Sequence, residues 1–479
     1  MEYDIVIGLE THVELSTATK VFCSCENKFG GEPNSHCCEV CTGMPGALPT
    51  INKKAVEYSI KAGLATHCDI NQYFYFERKN YFYPDLAKAY QISQLVLPIS
   101  INGYLEIKDA DGNAKKIRIN RIHLEEDAGK LVHNASTSQV DYNRGGVPLI
   151  ETVSEPDLSS ADEAISYLET LKALFKFIGV SDCKMEQGSL RCDVNVSLKP
   201  KGSSTLGNRT EMKNLNSFKA IDRAIRYEVE RQRNILDNGG RIMQATLKWD
   251  DELGENYSMR SKEDAHDYRY FREPDLLPIQ ISNEEIARIA SELPLLPEEK
   301  KKFYMENYSL TEYDASQITK SPVYTKFYDT AVSYYNNPKI ICNWMLNELF
   351  KKLNTETLLD EEITINISPK NFASVARLYV EGKVSQQGSR QILETLFVKD
   401  EDPEIIMKAQ NLELKSDTAF LEKVVNDIIL ANPQAVADYK GGNSKAFTFF
   451  MGQTMKATKG QASASLVSET INKLLNGTK

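Results

Sequence analysis

The chain lacks both common loops for cradling a nucleotide. It has no Gly-x4-Gly-Lys-Ser/Thr and no Gly-x-Gly-x-x-Gly, so neither phosphate-binding turn applies. Long apolar runs are missing as well; none approaches the roughly 18 residues of a membrane-spanning helix, and no membrane contact is expected. The opening Met1–Glu2–Tyr3–Asp4 carries neither a basic stretch nor an apolar one, which argues against a secretory signal and for a cytoplasmic protein. Positive charge is in deficit. The 57 Lys and Arg stand against 67 Asp and Glu, a net charge of −10, so nucleic acid cannot be held by bulk charge and any such contact needs a local basic patch. Internal repeats and low-complexity segments are absent. What remains is an ordinary globular composition, 41% hydrophobic and 26% charged over 479 residues, long enough for about three domains.

Acids, by contrast, recur at every second position in three stretches that read as β-strands. From Ile5 to Leu15, the residues Ile5, Ile7, Leu9, Val13 and Leu15 point one way and Glu10, His12 and Glu14 the other, because side chains alternate along a strand. From Ile117 to Asp127, one face carries Arg121, His123, Glu125 and Asp127. From Leu190 to Leu198, apolar residues alternate with Arg191, Asp193, Asn195 and Ser197. Such a face is either solvated or holds cations. If the strands are neighbours, the second reading means a metal–phosphate site, since hard Mg2+ takes oxygen ligands together with substrate phosphates.

Nine cysteines in a chain read as cytoplasmic point to thiols or metal ligands rather than a disulfide framework. Cys23-x-Cys25-x12-Cys38-x2-Cys41 has the spacing of two knuckles that bring paired thiolates to one tetrahedral zinc. Four protein ligands leave no open position, so such a zinc is structural. Cys37, beside Cys38, leaves the choice of ligands open. Cys68, Cys183, Cys192 and Cys342 are scattered and are expected in the core.

Basic and aromatic residues interleave from Glu77 to Asp85 and from Lys88 to Gln94, which contain Lys79, Tyr81, Tyr83, Lys88 and Tyr90. That mixture suits a stacked base and a lysine on phosphate. Glu211–Met212–Lys213–Asn214 alternates charge just before a helix start, a natural place for an anion.

Two amphipathic helices interrupt the strand-rich first part. One follows the capping box Ser160–Ala161–Asp162–Glu163, with Ile165, Leu168, Leu171, Phe175 and Ile178 at helical spacing. The other runs from about Phe218 to Leu236 and stops at Gly239–Gly240. Strands in this irregular alternation predict an α+β domain on an antiparallel sheet. From about Ile281 helical patterns take over, with turns expected at Asn336–Pro338 and Ser368–Pro369 and an acidic link at Lys399–Pro403.

Several of these stretches, in order along the whole chain, resemble the B subunit of the aspartyl/glutamyl-tRNA amidotransferases. They are Ile7 to Leu15, Arg78 to Asp85, His123 to Lys130, Asp141 to Arg144, Pro148 to Glu151, Ser154 to Asp157, Gly188 to Asn195, Glu211 to Ser217, His266 to Phe271 and Gly452 to Gly460. The resemblance implies a glutamine-synthetase-like antiparallel-sheet cradle domain (1–293), an all-α helical domain (294–404) and a small helical tail domain that touches tRNA (405–479). It implies ATP-dependent phosphorylation of the side-chain carboxylate of Glu on tRNA(Gln) or Asp on tRNA(Asn). Amidation follows, with ammonia from a glutaminase A subunit, in a heterotrimer braced by a small C subunit.

By that resemblance, Glu10, His12, Glu125 and Glu151 are expected to bind Mg2+. An imidazole among the ligands favours a softer ion such as Mn2+, or a place behind the ligands. Asp193 and Glu211 are expected in the same cleft, Lys79 and Lys213 on phosphate, and Asn80, Tyr81, Tyr83, Arg191 and Asn214 around the nucleotide or aminoacyl end. Lys440, Lys445, Lys456 and Lys459 form the basic patch expected to meet tRNA phosphates. The family's Gln–Glu–Thr–Arg run is here Gln244–Ala245–Thr246–Leu247–Lys248, without the acid and the arginine, leaving Lys248 as the cation at hand. Arg272 stands where the family commonly has Pro and is expected to alter only a loop. An autonomous glutaminase is rejected, because Gly202 to Gly207 has no Lys-x-Ser partner. The archaeal-type E subunit is rejected for want of its inserted domain, and a mere scaffold has no use for clustered acids.

Overall fold

The acid-bearing stretches lie in one sheet, 5–15 beside 190–198 and separated by one strand from 117–127. The computed structural model describes residues 2–109, 111–134, 136–258, 268–356, 363–414, 418–441, 444–458 and 462–476. The chain divides into two units, Met1–Pro297 and Glu298–Lys479. In the first unit nine strands form the large sheet: β1 (Tyr3–Glu14), β2 (Asp69–Ile70), β3 (Ser100–Lys108), β4 (Ala114–Glu126), β5 (Pro148–Ser154), β6 (Leu190–Pro200), β7 (Thr210–Lys213), β8 (Ala245–Asp250) and β9 (Glu255–Ser258). Their order is β9-β8-β7-β6-β1-β5-β4-β3-β2. All neighbours are antiparallel except β7 and β8. That parallel pair needs a crossover, which the helix Phe218–Asp237 supplies.

One face of the sheet is apolar. Ile7, Leu9 and Val13 of β1 share a core with Leu168, Leu171 and Phe175 of helix α1 (Ala161–Phe177) and with Ile221 and Ile225 of helix α2 (Phe218–Asp237). Burying that stripe fixes the register, since a one-residue slip would turn every acid inward. Local signals agree with the tertiary result. Ser160 Oγ accepts the Glu163 N–H at 3.1 Å. The Glu163 carboxylate reaches one residue further back than a capping box requires, taking the Ser159 N–H at 2.7 Å and the Lys115 ammonium. Ser217 caps α2, which ends at Asn238 before Gly239 with φ +76°.

The strand-like basic and aromatic segment forms smaller sheets. Glu77–Asn80 pairs with Tyr90–Ser93 on one side and with Phe271–Arg272 on the other. Arg272, expected in a loop, is therefore in a two-residue strand, its guanidinium 5.2 Å from the Tyr75 ring. The second unit is helical around two apolar clusters, one containing Tyr328, Met345, Phe372 and Leu396, the other Leu421, Val425, Phe450, Val467 and Ile471. The turns expected at Asn336–Pro338 and Ser368–Pro369 and the acidic link at Lys399–Pro403 each lead into a helix: Asn337, Ser368 and Asp402 cap helices whose first residues are Pro338, Pro369 and Pro403. Proline suits that position because its missing N–H has no helical partner there. Cys68, Cys183, Cys192 and Cys342 are buried, as expected.

Candidate active site

The polar face of the sheet gathers the predicted acids into two groups, and register decides which acid joins which. β6 and β5 flank β1, setting Glu10 opposite Asp193 and His12 opposite Glu151, and β5 in turn sets Glu151 opposite His123 of β4. Glu10, Asp193 and Glu211 of β7 form one group; His12, Glu125 and Glu151 form the other. Within each, one ligand atom per residue lies within 4.8 Å of the rest. Glu10 and His12 are two residues apart on one strand face, about 7 Å by strand rise, so the groups adjoin. Glu10, placed by sequence with His12, Glu125 and Glu151, thus lies in the group of Asp193 and Glu211.

The first group is all oxygen. Asn195 donates to Glu10 at 3.0 Å and Thr246 to Glu211 at 2.8 Å. Lys213 bridges Asp193 and Glu211, the latter at 2.8 Å. Burial, then the like charges of Glu151, Glu211 and Asp193, raises the Glu10 carboxyl. Three clustered carboxylates that draw in a lysine form a donor set suited to a hard dication.

The second group is deeper and is flanked by His123, a residue that sequence reasoning left out of the site. His123 Nε2 lies 3.2 Å from Glu151 and 3.4 Å from Glu125, while His12 Nε2 lies 3.3 Å from Glu151. Burial opposes a charge on His123, but Glu151 and Glu125 overcome it and push its pKa up to about 9. Glu151 is held well below the carboxylate range by the same two imidazoles, against its own burial. Ser93 donates to Glu125 at 2.9 Å. The strand period puts His123 on the Glu125 face; only the register shows that it stands between two acids. The imidazole of His12 among two carboxylates suits Mn2+ as well as Mg2+.

Around this face Lys79 lies 5.0 Å from the Tyr268 ring and 5.8 Å from Tyr81. Burial raises the Tyr81 and Tyr270 hydroxyls, with added repulsion from Asp85 and Glu125 on Tyr81 and from Glu125 and Glu151 on Tyr270. Other predicted residues hold the framework here. Asn80 donates to the Arg269 carbonyl at 2.8 Å, and Asn214, at φ +67°, donates to the Trp249 carbonyl at 3.0 Å. Arg191 pairs with Asp127. Beside them, burial and then Asp127 push Glu14 up to about 9. Tyr83 is exposed. Leu247 is buried on the core face, and Lys248 lies opposite Lys213 in the sheet. His266 and Asp267 lie outside the described residues, as does Lys459.

The cysteine cluster is separate. The sulfurs of Cys23, Cys25, Cys38 and Cys41 lie within 4.8 Å of one another, with Cys38 and Cys41 3.9 Å apart. A tetrahedral zinc with sulfur at about 2.3 Å requires sulfur pairs about 3.8 Å apart, so the donor set fits. Hydrogen bonds from the Cys23 thiol and the Cys38 N–H, with Lys20 nearby, bring Cys41 down to about 4 against the effect of burial. Cys37 falls outside the quartet, its sulfur 3.8 Å from Asn143 Oδ1.

In the tail, Lys440 ends the helix Pro433–Lys440, and Lys445 and Lys456 lie on the helix Ser444–Ala457; all three are exposed. Their spacing of about three turns puts Lys445 and Lys456 on one face.

Residues 5–287 match the family described as GatB/GatE catalytic domain, and residues 326–475 match the GatB domain. A protein of Caldicellulosiruptor saccharolyticus, named as the B subunit of an aspartyl/glutamyl-tRNA(Asn/Gln) amidotransferase, is 51% identical over 478 residues, 99% of each chain. Proteins of the same name from Carboxydothermus hydrogenoformans and Moorella thermoacetica are 51% and 48% identical, covering 99% of this chain and 98% and 100% of their own. Among the described residues no helix is long and apolar enough to cross a membrane.

Proposed function

The chain belongs to the GatB family, the B subunits of the tRNA-dependent amidotransferases and so part of a carbon–nitrogen ligase, and we propose that its acidic sheet face is the kinase and amidation centre. The observation that carries this reading is the pair of adjoining carboxylate groups on one rigid sheet face, with Lys213 between Asp193 and Glu211. Glu10, Asp193 and Glu211 hold one divalent ion through oxygen; His12, Glu125 and Glu151 hold a second. When bound, Mg2+ or Mn2+ supplies the positive charge that orients ATP's phosphates and offsets charge developing during transfer.

The chain's own groups do the rest. Lys79 and Lys213 neutralise phosphate oxygens. Tyr81 and Tyr83 position the nucleotide or aminoacyl end, with Asn80, Arg191 and Asn214 fixing the walls around it. A side-chain carboxylate oxygen of the tRNA-bound Glu or Asp attacks the γ-phosphorus, the bond to the β-phosphate oxygen breaks, and ADP leaves. Ammonia then attacks the acyl carbon, phosphate departs, and loss of a proton leaves the amide. Activation is needed because a carboxylate is a poor acyl donor. A glutaminase A subunit supplies the ammonia and a small C subunit braces the pair, in the cytoplasm where aminoacyl-tRNA is used. Residues 1–293 form the cradle, 294–404 the helical domain, and 405–479 the part that meets tRNA.

The deciding experiment is γ-phosphate release from ATP by the chain co-purified with its partner subunits. Free ammonium replaces glutamine, and Glu-tRNA(Gln), Asp-tRNA(Asn) or uncharged tRNA is offered in turn. Release that depends on a misacylated tRNA is expected. No release from a folded complex would leave the chain as a tRNA-docking scaffold.

The tail makes a second prediction. Changing Lys440, Lys445 and Lys456 together to Gln is expected to make the negative slope of log affinity against log salt shallower by about 2 to 3, since each phosphate contact contributes roughly 0.7 to 0.9. Equal slopes for variant and parent would remove these lysines from the interface.

A further inference from the structure

Lys20 is a buried lysine with an unusual pair of neighbours. Its side chain is 0% exposed, and its Nζ lies 3.6 Å from Cys41 Sγ and donates to the Tyr142 carbonyl at 3.1 Å. Among the described residues no carboxylate pairs with it. Lysine is almost never fully buried without a partner for its charge. Here the anion at hand is sulfur. Four thiolates on a dication carry a net charge of about −2, and a buried ammonium beside them offsets part of it.

The same lysine touches a segment that leads back to the active site. Asn143 accepts the His36 N–H at 2.8 Å and donates to the Glu32 carbonyl at 2.7 Å, both within the loop that joins the two cysteine pairs. Arg144 donates to the Ala128 and Gly129 carbonyls at 3.0 and 2.9 Å. Gly146 packs its Cα side against Cys41 and the Lys20 stem, each 3.5 Å from where a Cβ would stand, and its φ of +84° is what calls for glycine. Its N–H donates to the Asp127 carbonyl at 2.8 Å. Asp127 is two residues beyond Glu125. A cavity of about 130 Å³ between the two regions is lined by Cys23 and Cys41 on one side and by Lys88 and Glu126 on the other.

We infer that Lys20 is the buried counter-ion of the cysteine–zinc cluster, and that the two together clamp residues 141–146 so as to fix the end of the strand that carries Glu125. Lys20 is a positioning residue that never meets substrate. The zinc's task is then local: it tightens one wall of the candidate active site. This rests on the reading that the quartet holds zinc, and the test separates the two.

The full chain, purified with its partner subunits, is assayed for zinc content. Release to a coloured chelator is then timed for the parent, Lys20→Met and the exposed control Glu39→Gln. Lys20→Met is expected to release zinc about 10 to 100 times faster, the size of effect seen for groups that support metal ligands, with Glu39→Gln at the parental rate. Release by Lys20→Met at the parental rate overturns the inference. Zinc absent from the parent overturns the zinc reading and the inference with it. Should Lys20→Met fail to fold, hydrogen exchange of the parent before and after chelation decides. Exchange at 141–146 and 125–129 is expected to quicken at least about tenfold, as for a segment released from a local constraint, and unchanged exchange there overturns the clamp.

Discussion

Glu125→Ala is expected to lower phosphate release from ATP by about 10²-fold or more while glutamine hydrolysis in the partner subunit continues. The magnitude follows from what the carboxylate does. Glu125 is buried, is fixed by Ser93 at 2.9 Å, and stands with Glu151 against two imidazoles. Removing it leaves His12 and His123 around a single acid, a set with too little negative charge to hold a dication. Losing the dication that Glu125 helps to hold removes a positive charge at the transferring phosphoryl, which costs at least as much as loss of one neutral donor, ~10²–10³-fold. Glu125→Gln keeps the shape and removes the charge, so it should fail nearly as badly. Phosphate release at the parental rate in either variant would take Glu125 out of the site.

The second large effect is on stability. Arg78→Met is expected to destabilise the first unit by about 3–5 kcal/mol, seen as a lower denaturant midpoint with an unchanged slope. Arg78 grips Glu273 through two hydrogen bonds of 2.7 and 2.9 Å and adds Asp275 at 3.1 Å. Glu273 is 0% exposed. Removing one partner strands a buried charge, which is what makes the loss that large. Replacing both, as Arg78→Met with Glu273→Leu, should recover most of it, because a buried ion pair contributes little beyond a well-packed apolar pair. Equal losses in the single and double variants would show that the pair is not the cause. Activity should fall as well. The strand Phe271–Arg272 that this pair anchors follows directly on Tyr268 and Tyr270, the rings set beside Lys79 and the buried acids.

Asn80 and Arg191 show how far side-chain type carries a reading. Each is a polar residue on or beside an acid-rich strand, which is all that its sequence neighbourhood says. Asn80 holds the Arg269 carbonyl and Arg191 holds Asp127, roles that belong to partners far away in sequence. Lys20 stands between Thr19 and Val21, and nothing local distinguishes a lysine that will be buried from one that will be solvated. Cys37 and Cys38 are equal candidates by spacing until the backbone turns one sulfur toward Asn143 and the other toward Cys41.

The sequence by itself determined the period of the strands, hence that Glu10, His12 and Glu14 share a face, as do His123 and Glu125. Alternation is a property of the backbone and needs no partner. It determined the helix starts at Ser160 and about Phe218, the four-thiol spacing and, through its motifs, the family. Which acids meet was decided only by tertiary structure. Register between β1 and its two neighbours set Glu10 against Asp193 and His12 against Glu151. It placed His123 between two carboxylates and shut Lys20 in beside Cys41. Register and burial depend on contacts between residues far apart in the chain, 185 positions for Asn195 and Glu10, and no local pattern encodes them.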